Sequence, residues 1–202
     1  MSGRWKQERY RDQFYRLAKE RGYRSRSAFK LLQMVRKYRF MKYGDVVVDL
    51  GAAPGGWLQV CRQTVGKKGF VLGVDMDPIP EFPWAYVKTL VEDITSESLP
   101  SKILDLVASE IDVVISDVSP NISGAWDVDH AKQLRLAERS FEIARKVLKR
   151  RGNFLCKLFH GSDLKAYENS VAECFEEVRL VKPPASKQRS SEIYLLALHF
   201  RG

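Results

Sequence analysis

Four aspartates follow or end apolar segments of the chain and could act together in binding a ligand. Asp49 ends the run VVVD and precedes the turn GAAPGGW, Asp75 follows FVLGV, Asp93 stands in LVEDIT, and Asp117 follows DVVIS. In an open sheet of parallel strands, ligands bind beyond the carboxyl ends of the strands. These acids, together with Lys157 in FLCKLF, therefore mark a candidate site.

The turn between Gly51 and Gly56 narrows the class of ligand. It lacks the G-x-G-x-x-G spacing of dinucleotide folds and the GK[ST] of a phosphate-binding loop, so a pyrophosphate ligand is disfavoured. Asp75 is placed to accept hydrogen bonds from a ribose diol, and Asp93 could reach an adenine amino group. Acidic strand ends suit a cofactor with a positive charge and no phosphate, which points to S-adenosyl-L-methionine. For any one acid alone, a structural turn cap is the alternative.

Lys157 stands inside an apolar run, between Phe154 and Phe159. A charge in such a run is costly unless it has partners. This position therefore favours a functional role over a structural one.

Five ordered segments carry a resemblance to a known family: RSRSAFKL, DLGAAPGGW, SDVSPNISG, CKLF and RSSEIYLLA. Together they resemble the FtsJ (RrmJ) family of ribosomal RNA 2′-O-ribose methyltransferases along nearly the whole chain. The resemblance implies a Rossmann-like fold, in which a mostly parallel seven-stranded sheet with one antiparallel strand carries helices on both faces. It implies S-adenosyl-L-methionine as cofactor and a uridine of large-subunit ribosomal RNA, within assembled subunits, as substrate.

The family's Lys-Asp-Lys-Glu tetrad can be carried over to Lys30, Asp117, Lys157 and Glu192, with Lys157 as proton acceptor. A ribose hydroxyl is a poor nucleophile until its proton is removed, and a lysine with the ordinary pKa of about 10.4 cannot accept that proton. Burial and a neighbouring cation can bring the pKa of a lysine toward about 7–8. Two assignments stay open, because Lys157 could instead orient the substrate while a carboxylate takes the proton late. No metal is required.

The resemblance also implies the residues that contact the cofactor, and we expect the turn to hold its methionine and ribose portions. Asp117 is expected to touch both the methyl donor and the acceptor. The predicted cofactor residues are Asp49, Gly51, Gly55, Gly56, Trp57, Asp75, Asp93 and Asp117.

Basic residues flank the tetrad members in the sequence and are predicted to hold phosphates of the RNA. Arg24 and Arg26 precede Lys30, and Lys187 and Arg189 precede Glu192. Lys30 itself is included among the predicted RNA-binding residues.

The net charge of +9 originates in the N-terminal part of the chain. Residues 1–42 contain 14 Lys/Arg and 3 Asp/Glu, whereas the remaining 160 residues contain 20 and 22. Aromatic residues are interleaved with these charges, which favours a polyanion such as RNA over a merely solvated helix face. We predict that 1–42 is a basic helical RNA-binding segment and 43–202 a methyltransferase domain, the two forming a single compact domain.

The elements that must position these residues alternate between strand and helix patterns. This alternation predicts an α/β fold with a doubly wound, mostly parallel sheet. Strand-like runs lie at 46–50, 70–74, 111–116, 154–158, 177–181 and 192–200, and helical patterns at 10–20, 25–38 and 130–150.

Length and composition limit the classes of protein to which this chain can belong. A chain of 202 residues with 45% hydrophobic content can bury one sizeable core. No apolar run reaches about 18 residues, and the N-terminus lacks the apolar core of a signal peptide, so we expect a cytoplasmic protein, and a monomer. Cys61, Cys156 and Cys174 are far apart, as are the three histidines, which supports neither a zinc site nor a disulfide framework.

Three other functions remain as alternatives. A transfer RNA 2′-O-ribose methyltransferase would use the same tetrad and fold, although SPNISG after Asp117 looks more like the ribosomal group. A non-catalytic RNA-binding ribosome-assembly factor with a degenerate fold would have no use for Lys157 in a strand. A small-molecule methyltransferase would leave the basic segment unexplained.

Overall fold

A computed structural model describes residues 13–187 and 189–202 of the chain. Helices and strands alternate through most of this part, as the sequence pattern predicts. The helices are α1 (Gln13–Glu20), α2 (Ala28–Tyr38), α3 (Gly56–Val65), α4 (Leu99–Val107), α5 (Trp126–Val147) and α6 (Leu164–Ala172), with a 3₁₀ turn at Gly66–Lys68. The strands are β1 (Val46–Leu50), β2 (Phe70–Asp75), β3 (Val87–Val91), β4 (Ile111–Ser116), β5 (Leu148–Phe159), β6 (Phe175–Val181) and β7 (Glu192–Phe200).

The strands form one seven-stranded sheet in the order β3-β2-β1-β4-β5-β7-β6. The strands β1 to β5 pair in parallel, and β7 runs antiparallel to both of its neighbours. The prediction of a mostly parallel sheet with one antiparallel strand is confirmed. The strand order reverses between β1 and β4, and ligands of open α/β sheets bind at such a point.

Two differences between the predicted and observed elements have clear physical reasons. The helical pattern at 130–150 runs too far, because α5 begins at Trp126 and ends at Val147. Leu148 fits the helical spacing, but it is extended and pairs with Ile111 as the start of β5. Strand β3 lies at the sheet edge with mostly exposed side chains, so it lacks the apolar run by which a buried strand is recognised.

Helix α2 is part of the main core although it lies in the basic segment. Its residues Ala28, Leu31 and Met34 are buried in the same cluster as Trp57 of α3 and Tyr194 of β7. Helix α1 packs on α2 through a smaller cluster. The predicted helix at 10–20 is described from residue 13 onward, and residues 10–12 lie outside the described part. The boundary between 42 and 43 stays a prediction.

Two further observations concern the state of the cysteines and the possibility of a membrane-spanning helix. Cys61 and Cys156 are buried, Cys174 is partly buried, and all three are free thiols. Of the helices in the described residues, none is both long enough and apolar enough to span a membrane.

Candidate active site

A cleft of about 960 Å³ lies at the carboxyl ends of β1, β2 and β4, where the strand order reverses. The structure brings together here four of the predicted cofactor residues: Gly51, Asp75, Asp93 and Asp117. The other lining residues were not predicted from the sequence, and they are Ala53, Met76, Asp77, Ile94, Thr95, Val118, Ser119, Pro120, Asn121, Lys132, Arg135 and Leu136.

Backbone N–H groups orient two of the acids that line the cleft. Asp75 accepts hydrogen bonds from the amides of Ala53 (2.8 Å) and Asp77 (2.9 Å), and Asp93 accepts one from the amide of Thr95 (2.8 Å). Each carboxylate oxygen has a second lone pair that can accept from a ligand. Within the described part of the chain, no group of His, Cys, Asp and Glu is arranged to hold a metal ion.

Asp49 lies beneath this cleft and is fully buried. Among the residues that the structure describes, neither of its carboxylate oxygens has a hydrogen-bond partner. Burial, and next the charges of Asp117 and Asp75, raise the pKa of Asp49 well above its ordinary value. A cation or hydrogen-bond donor brought close to these acids would relieve this cost.

The glycine-rich turn packs against the loop that precedes α2. Gly55 has a φ of 102°, and a Cβ atom there would lie 2.8 Å from both the Arg24 guanidinium and the Phe82 ring. A Cβ atom on Gly56 would collide with the Ser25 hydroxyl. Neither glycine is among the residues that line the cleft, so their contact with the cofactor stays a prediction, and tight packing of the turn explains why both are glycine.

Trp57 is also absent from the lining of the cleft. Its side chain is buried, its Nε1 donates a hydrogen bond to the carbonyl of Ser27 (2.9 Å), and its ring centroid lies 5.9 Å from that of Tyr194. The indole ring therefore connects α3 to the start of α2 and to β7. Its predicted cofactor contact is not tested by these contacts.

The first pair of the predicted tetrad joins α2 to the start of β7. The Nζ of Lys30 lies 2.6 Å from Oε2 of Glu192, and both side chains are largely buried. The other carboxylate oxygen of Glu192 accepts a hydrogen bond from the Ser186 hydroxyl (2.8 Å). Glu192 is thus satisfied on both oxygens, and Lys30 is held as a charged partner.

The second pair joins β5 to the end of β4. The Nζ of Lys157 donates to the backbone carbonyl of Asp117 (2.6 Å) and lies 3.2 Å from its Oδ1. The Lys157 side chain is only 7% exposed, which is costly for a charge unless it is paired and hydrogen-bonded. Asp117 also lines the cleft, so it borders both the predicted cofactor site and the tetrad.

Tyr194 links the two pairs, and the sequence analysis missed it. It pairs with Lys157 across β5 and β7, its hydroxyl donates to Oδ1 of Asp117 (2.8 Å), and its ring lies 5.9 Å from the Nζ of Lys30. Burial, followed by the charges of Asp117 and Glu192, raises the pKa of Tyr194 well above its ordinary value. The sequence could have indicated Tyr194. Residues two apart on a strand share a face of the sheet, and Tyr194 follows the predicted tetrad residue Glu192 by two.

Gln133 of α5 is a second residue that sequence reasoning missed. It is buried, and its Nε2 donates to the backbone carbonyls of Lys157 (2.9 Å) and Val118 (3.2 Å). Gln133 therefore anchors β5 and the loop after β4 just behind the second pair. Nothing in its local sequence context points to this contact.

Two of the predicted RNA-binding residues have structural partners. The guanidinium of Arg24 donates to the carbonyls of Pro54 (3.3 Å), Pro80 (2.7 Å) and Glu81 (3.0 Å), and it stacks on the Phe82 ring. Arg26 donates to the carbonyl of Ala185. These contacts tie the loop before α2 to neighbouring loops, and a role in phosphate binding stays a prediction.

Of the other predicted RNA-binding residues, Lys30 is paired with Glu192, and two lie at the surface. Lys187 and Arg189 are exposed. Lys187 lines a small pocket of about 140 Å³ together with Arg26, Lys30 and Glu192. The structure thus brings two predicted RNA-binding residues, Arg26 and Lys187, beside the first tetrad pair.

Comparison with known proteins is consistent with this arrangement of sheet, cleft and paired side chains. The family described as FtsJ-like methyltransferase matches residues 23–200. The chain belongs to this family. The match includes all four tetrad positions and the whole sheet, so the resemblance stated from the sequence is confirmed.

Two curated FtsJ-like relatives and one solved structure are similar over most of their length. Ribosomal RNA large subunit methyltransferase E of Methanocaldococcus jannaschii is 46% identical over 202 residues, covering 98% of this chain and 82% of the relative. The protein of the same name from Methanothermobacter thermautotrophicus is 42% identical, with 100% and 96% covered. The crystal structure of a ribosomal RNA methyltransferase from Plasmodium falciparum has a TM-score of 0.79 at 25% identity, covering 89% of this chain and 100% of that one.

Proposed function

We propose that this chain transfers a methyl group from S-adenosyl-L-methionine to the 2′ hydroxyl of a uridine in large-subunit ribosomal RNA. The observation that carries this proposal is the buried Lys157, held by Asp117 at the edge of the acid-lined cleft. A lysine in this position has two acceptors on Asp117, a residue that itself lines the cleft. It can act on a hydroxyl group placed between the cleft and the tetrad.

The cleft fits the proposed cofactor in its chemistry. S-adenosyl-L-methionine supplies an electrophilic methyl group on a positively charged sulfur, and it also carries an ammonium group, a ribose diol and an adenine. The acids Asp75, Asp93 and Asp117 line the cleft, and the carboxylate of Asp49 below them is without a partner among the described residues. Asp75 would bind the ribose diol and Asp93 the adenine amino group, while Asp49 and Asp117 favour the cationic end.

We assign the role of proton acceptor to Lys157, and its contacts allow that role. A neutral amine has two N–H bonds and one lone pair, and Asp117 offers Lys157 two acceptors, its carbonyl and its carboxylate. Both N–H bonds can be satisfied there, which leaves the lone pair for the proton of the ribose hydroxyl. Lys30 is in a different position, because it is paired with Glu192 at 2.6 Å and stays an orienting charge.

The substrate assignment is supported by charge and by the names of the relatives. The excess of positive charge in residues 1–42 suits an RNA backbone, and both curated relatives named above are ribosomal RNA large subunit methyltransferases. Lys30, Arg26 and Lys187 surround one small pocket beside the tetrad, where they could hold phosphates next to the target ribose. We infer that the protein acts as a monomer in the cytoplasm.

The test is transfer of labelled methyl groups to large ribosomal subunits, free ribosomal RNA and transfer RNA. We expect label in the large subunit, in an alkali-resistant dinucleotide that contains uridine, because alkaline cleavage requires a free 2′ hydroxyl. Lys157→Ala should abolish the label, whereas Lys165→Ala, which removes a lysine with a 74% exposed side chain, should not.

Each other outcome contradicts a defined part of the proposal. Label on transfer RNA alone would favour the transfer RNA alternative. Label in an alkali-sensitive product would exclude the 2′ hydroxyl. Label that persists in Lys157→Ala would exclude Lys157 as proton acceptor. No label on any RNA, from protein that still binds RNA, would favour an assembly factor without catalytic activity.

A further inference from the structure

Trp126 is a large aromatic residue at the active-site end of the sheet that remains half exposed. It is the first residue of α5, and 49% of its surface is accessible. Its neighbour along the preceding loop, Ile122, is 62% exposed. A partly exposed tryptophan has one apolar ring face available for a ligand.

The other side of the Trp126 ring is packed on aromatic residues. Its centroid lies 6.2 Å from that of Phe159, with the planes inclined by 24°, and 5.9 Å from that of His130. Gly161 is in close contact with His130, which lies 3.7 Å from the Asp163 carboxylate. The indole ring is therefore supported from below by the end of β5 and the loop that follows it.

The loop before Trp126 is held by a buried acid. The carboxylate of Asp129 accepts hydrogen bonds from the amide (2.8 Å) and hydroxyl (2.8 Å) of Ser123 and from the amide of Gly124 (3.0 Å). These bonds from Ser123 and Gly124 lower the pKa of Asp129. Asp129 thus fixes the approach of the chain to α5, and the ring is presented in a defined position before any ligand arrives.

The supporting residue Phe159 places this ring beside the tetrad. Phe159 is the register partner of Glu192 across β5 and β7, and it follows Lys157 by two residues. Residues paired across antiparallel strands have Cα atoms about 4.5–5.5 Å apart. On its other side, the loop before Trp126 contributes Ser119 and Asn121 to the acid-lined cleft. Trp126 is therefore connected to the tetrad through Phe159 and to the cleft through the loop that precedes it.

We propose that Trp126 is a stacking platform for a nucleobase of the single-stranded RNA segment that carries the target ribose. This inference rests on the proposed function. Every base has a π face, so an aromatic platform contributes affinity with little dependence on sequence. Cationic residues line the two neighbouring pockets of the site, with Lys132 and Arg135 in the cleft and Lys30 and Lys187 beside the tetrad. These charges favour a nucleic acid over an apolar protein partner.

The first measurement is the affinity of the full chain for a short single-stranded oligouridylate, compared between the parent and four variants. We expect Trp126→Ala to weaken binding by roughly 10-fold, the size of effect typical for one stacked base. Trp126→Phe should keep most of the affinity, and Trp126→Leu should lose it, because leucine preserves apolar packing on Phe159 without a π face. Tyr43→Ala is the matched control, since it removes a 64% exposed aromatic residue located before β1, at the amino end of the strands and opposite the cleft.

The second measurement uses an RNA that the protein methylates. Its nucleotides are replaced by abasic ones, one position at a time. At one position, we expect the abasic RNA to be bound equally by the parent and by Trp126→Ala, because the stacking partner is already gone. Affinity for S-adenosyl-L-methionine should be equal in all variants. Circular dichroism melts identify any variant that loses affinity because it is misfolded. If Trp126→Ala is misfolded, the affinity of Trp126→Phe for RNA tests whether an aromatic ring is sufficient at this position.

The outcomes separate this inference from the proposed function. Equal oligouridylate affinity in the parent, Trp126→Ala and Tyr43→Ala would overturn the platform, even if methyl transfer occurs. Full binding by Trp126→Leu would replace stacking by simple apolar contact and would also overturn it. A Trp126-dependent affinity in a protein that methylates no RNA would support the platform while contradicting the proposed function.

Discussion

The acids of the cleft and the acids of the tetrad meet at one edge of the sheet, but they are satisfied in different ways. Among the described residues, Asp75 and Asp93 accept hydrogen bonds only from backbone N–H groups, and Asp49 has no hydrogen-bond partner. Glu192 and Asp117 each have a lysine within hydrogen-bonding or ion-pairing distance. In the described part of the chain, the carboxylates Asp49, Asp75 and Asp93 of the cleft therefore have no cationic partner, whereas the two tetrad carboxylates are each paired with a lysine.

This difference indicates what each half can do before a ligand arrives. Clustered like charges with few partners are destabilising, so the cleft gains from a ligand that brings positive charge. The tetrad is complete without a ligand, and its paired charges hold Lys157 in one orientation. Asp117 belongs to both halves.

The largest effect is expected from Asp117→Ala, because it removes a member of both halves. We expect turnover to fall by about 10³-fold or more, since Lys157 loses the carboxylate that helps to orient it and keeps only the backbone carbonyl as acceptor. Cofactor affinity should fall as well, measured by calorimetry with S-adenosyl-L-methionine. Asp77→Ala is the matched control, because Asp77 lines the same cleft without a tetrad contact. Normal cofactor affinity in Asp117→Ala would restrict Asp117 to the tetrad.

Tyr194→Phe should affect the tetrad half alone. Removing the hydroxyl leaves Oδ1 of Asp117 with one donor fewer, so we expect turnover to fall by about 10-fold and stability by about 1–2 kcal/mol. Tyr167→Phe removes another buried hydroxyl, which donates to the carbonyl of Ala137 at 2.9 Å, and it should lower stability without changing turnover. Equal turnover in the two variants would show that the Tyr194 hydroxyl does not act on the tetrad.

Asp49→Asn, in the cleft half, should stabilise the fold and at the same time weaken cofactor binding. The raised pKa of Asp49 means that the folded protein keeps a proton that the unfolded chain, with an aspartate pKa of about 3.9, releases. This destabilises the fold increasingly as the pH rises above about 4. We therefore expect Asp49→Asn to raise the melting temperature by several degrees at pH 7 and to weaken cofactor binding by about 10-fold.

The control for this variant is the pH dependence itself. Below about pH 4 the aspartate is protonated in both states, so the gain in melting temperature should disappear there. A gain that is constant from pH 3 to pH 8 would contradict the role given to the Asp49 charge. Unchanged cofactor affinity would remove Asp49 from the cofactor site.

The smallest effect is expected outside both halves, from Lys187→Ala. Lys187 is exposed beside the tetrad, and loss of one phosphate contact should lower the salt dependence of RNA binding by about 0.7–0.9 in log–log slope. Arg24→Ala should change the slope less, because its guanidinium already donates to three carbonyls. A larger change for Arg24 would show that it exchanges these carbonyls for phosphate.

Local patterns in the sequence were sufficient to predict most elements. The β-branched runs of β1 and β4 predict strands with the observed bounds, since strands buried on both faces need continuous apolar residues. The pattern fails at Leu148, where helix and strand both accept an apolar residue. It also fails at β3, where the side chains are mostly exposed.

By itself, the sequence determined the family and the α/β class and predicted the four tetrad residues, because motifs and periodicity are properties of neighbouring residues. Only the tertiary structure decided that Lys30 pairs with Glu192, 162 positions away, that Arg24 closes the turn and that Tyr194 joins the two pairs. It also placed Trp126 on Phe159. Such contacts depend on strand order and register, which bring distant residues to one edge of the sheet.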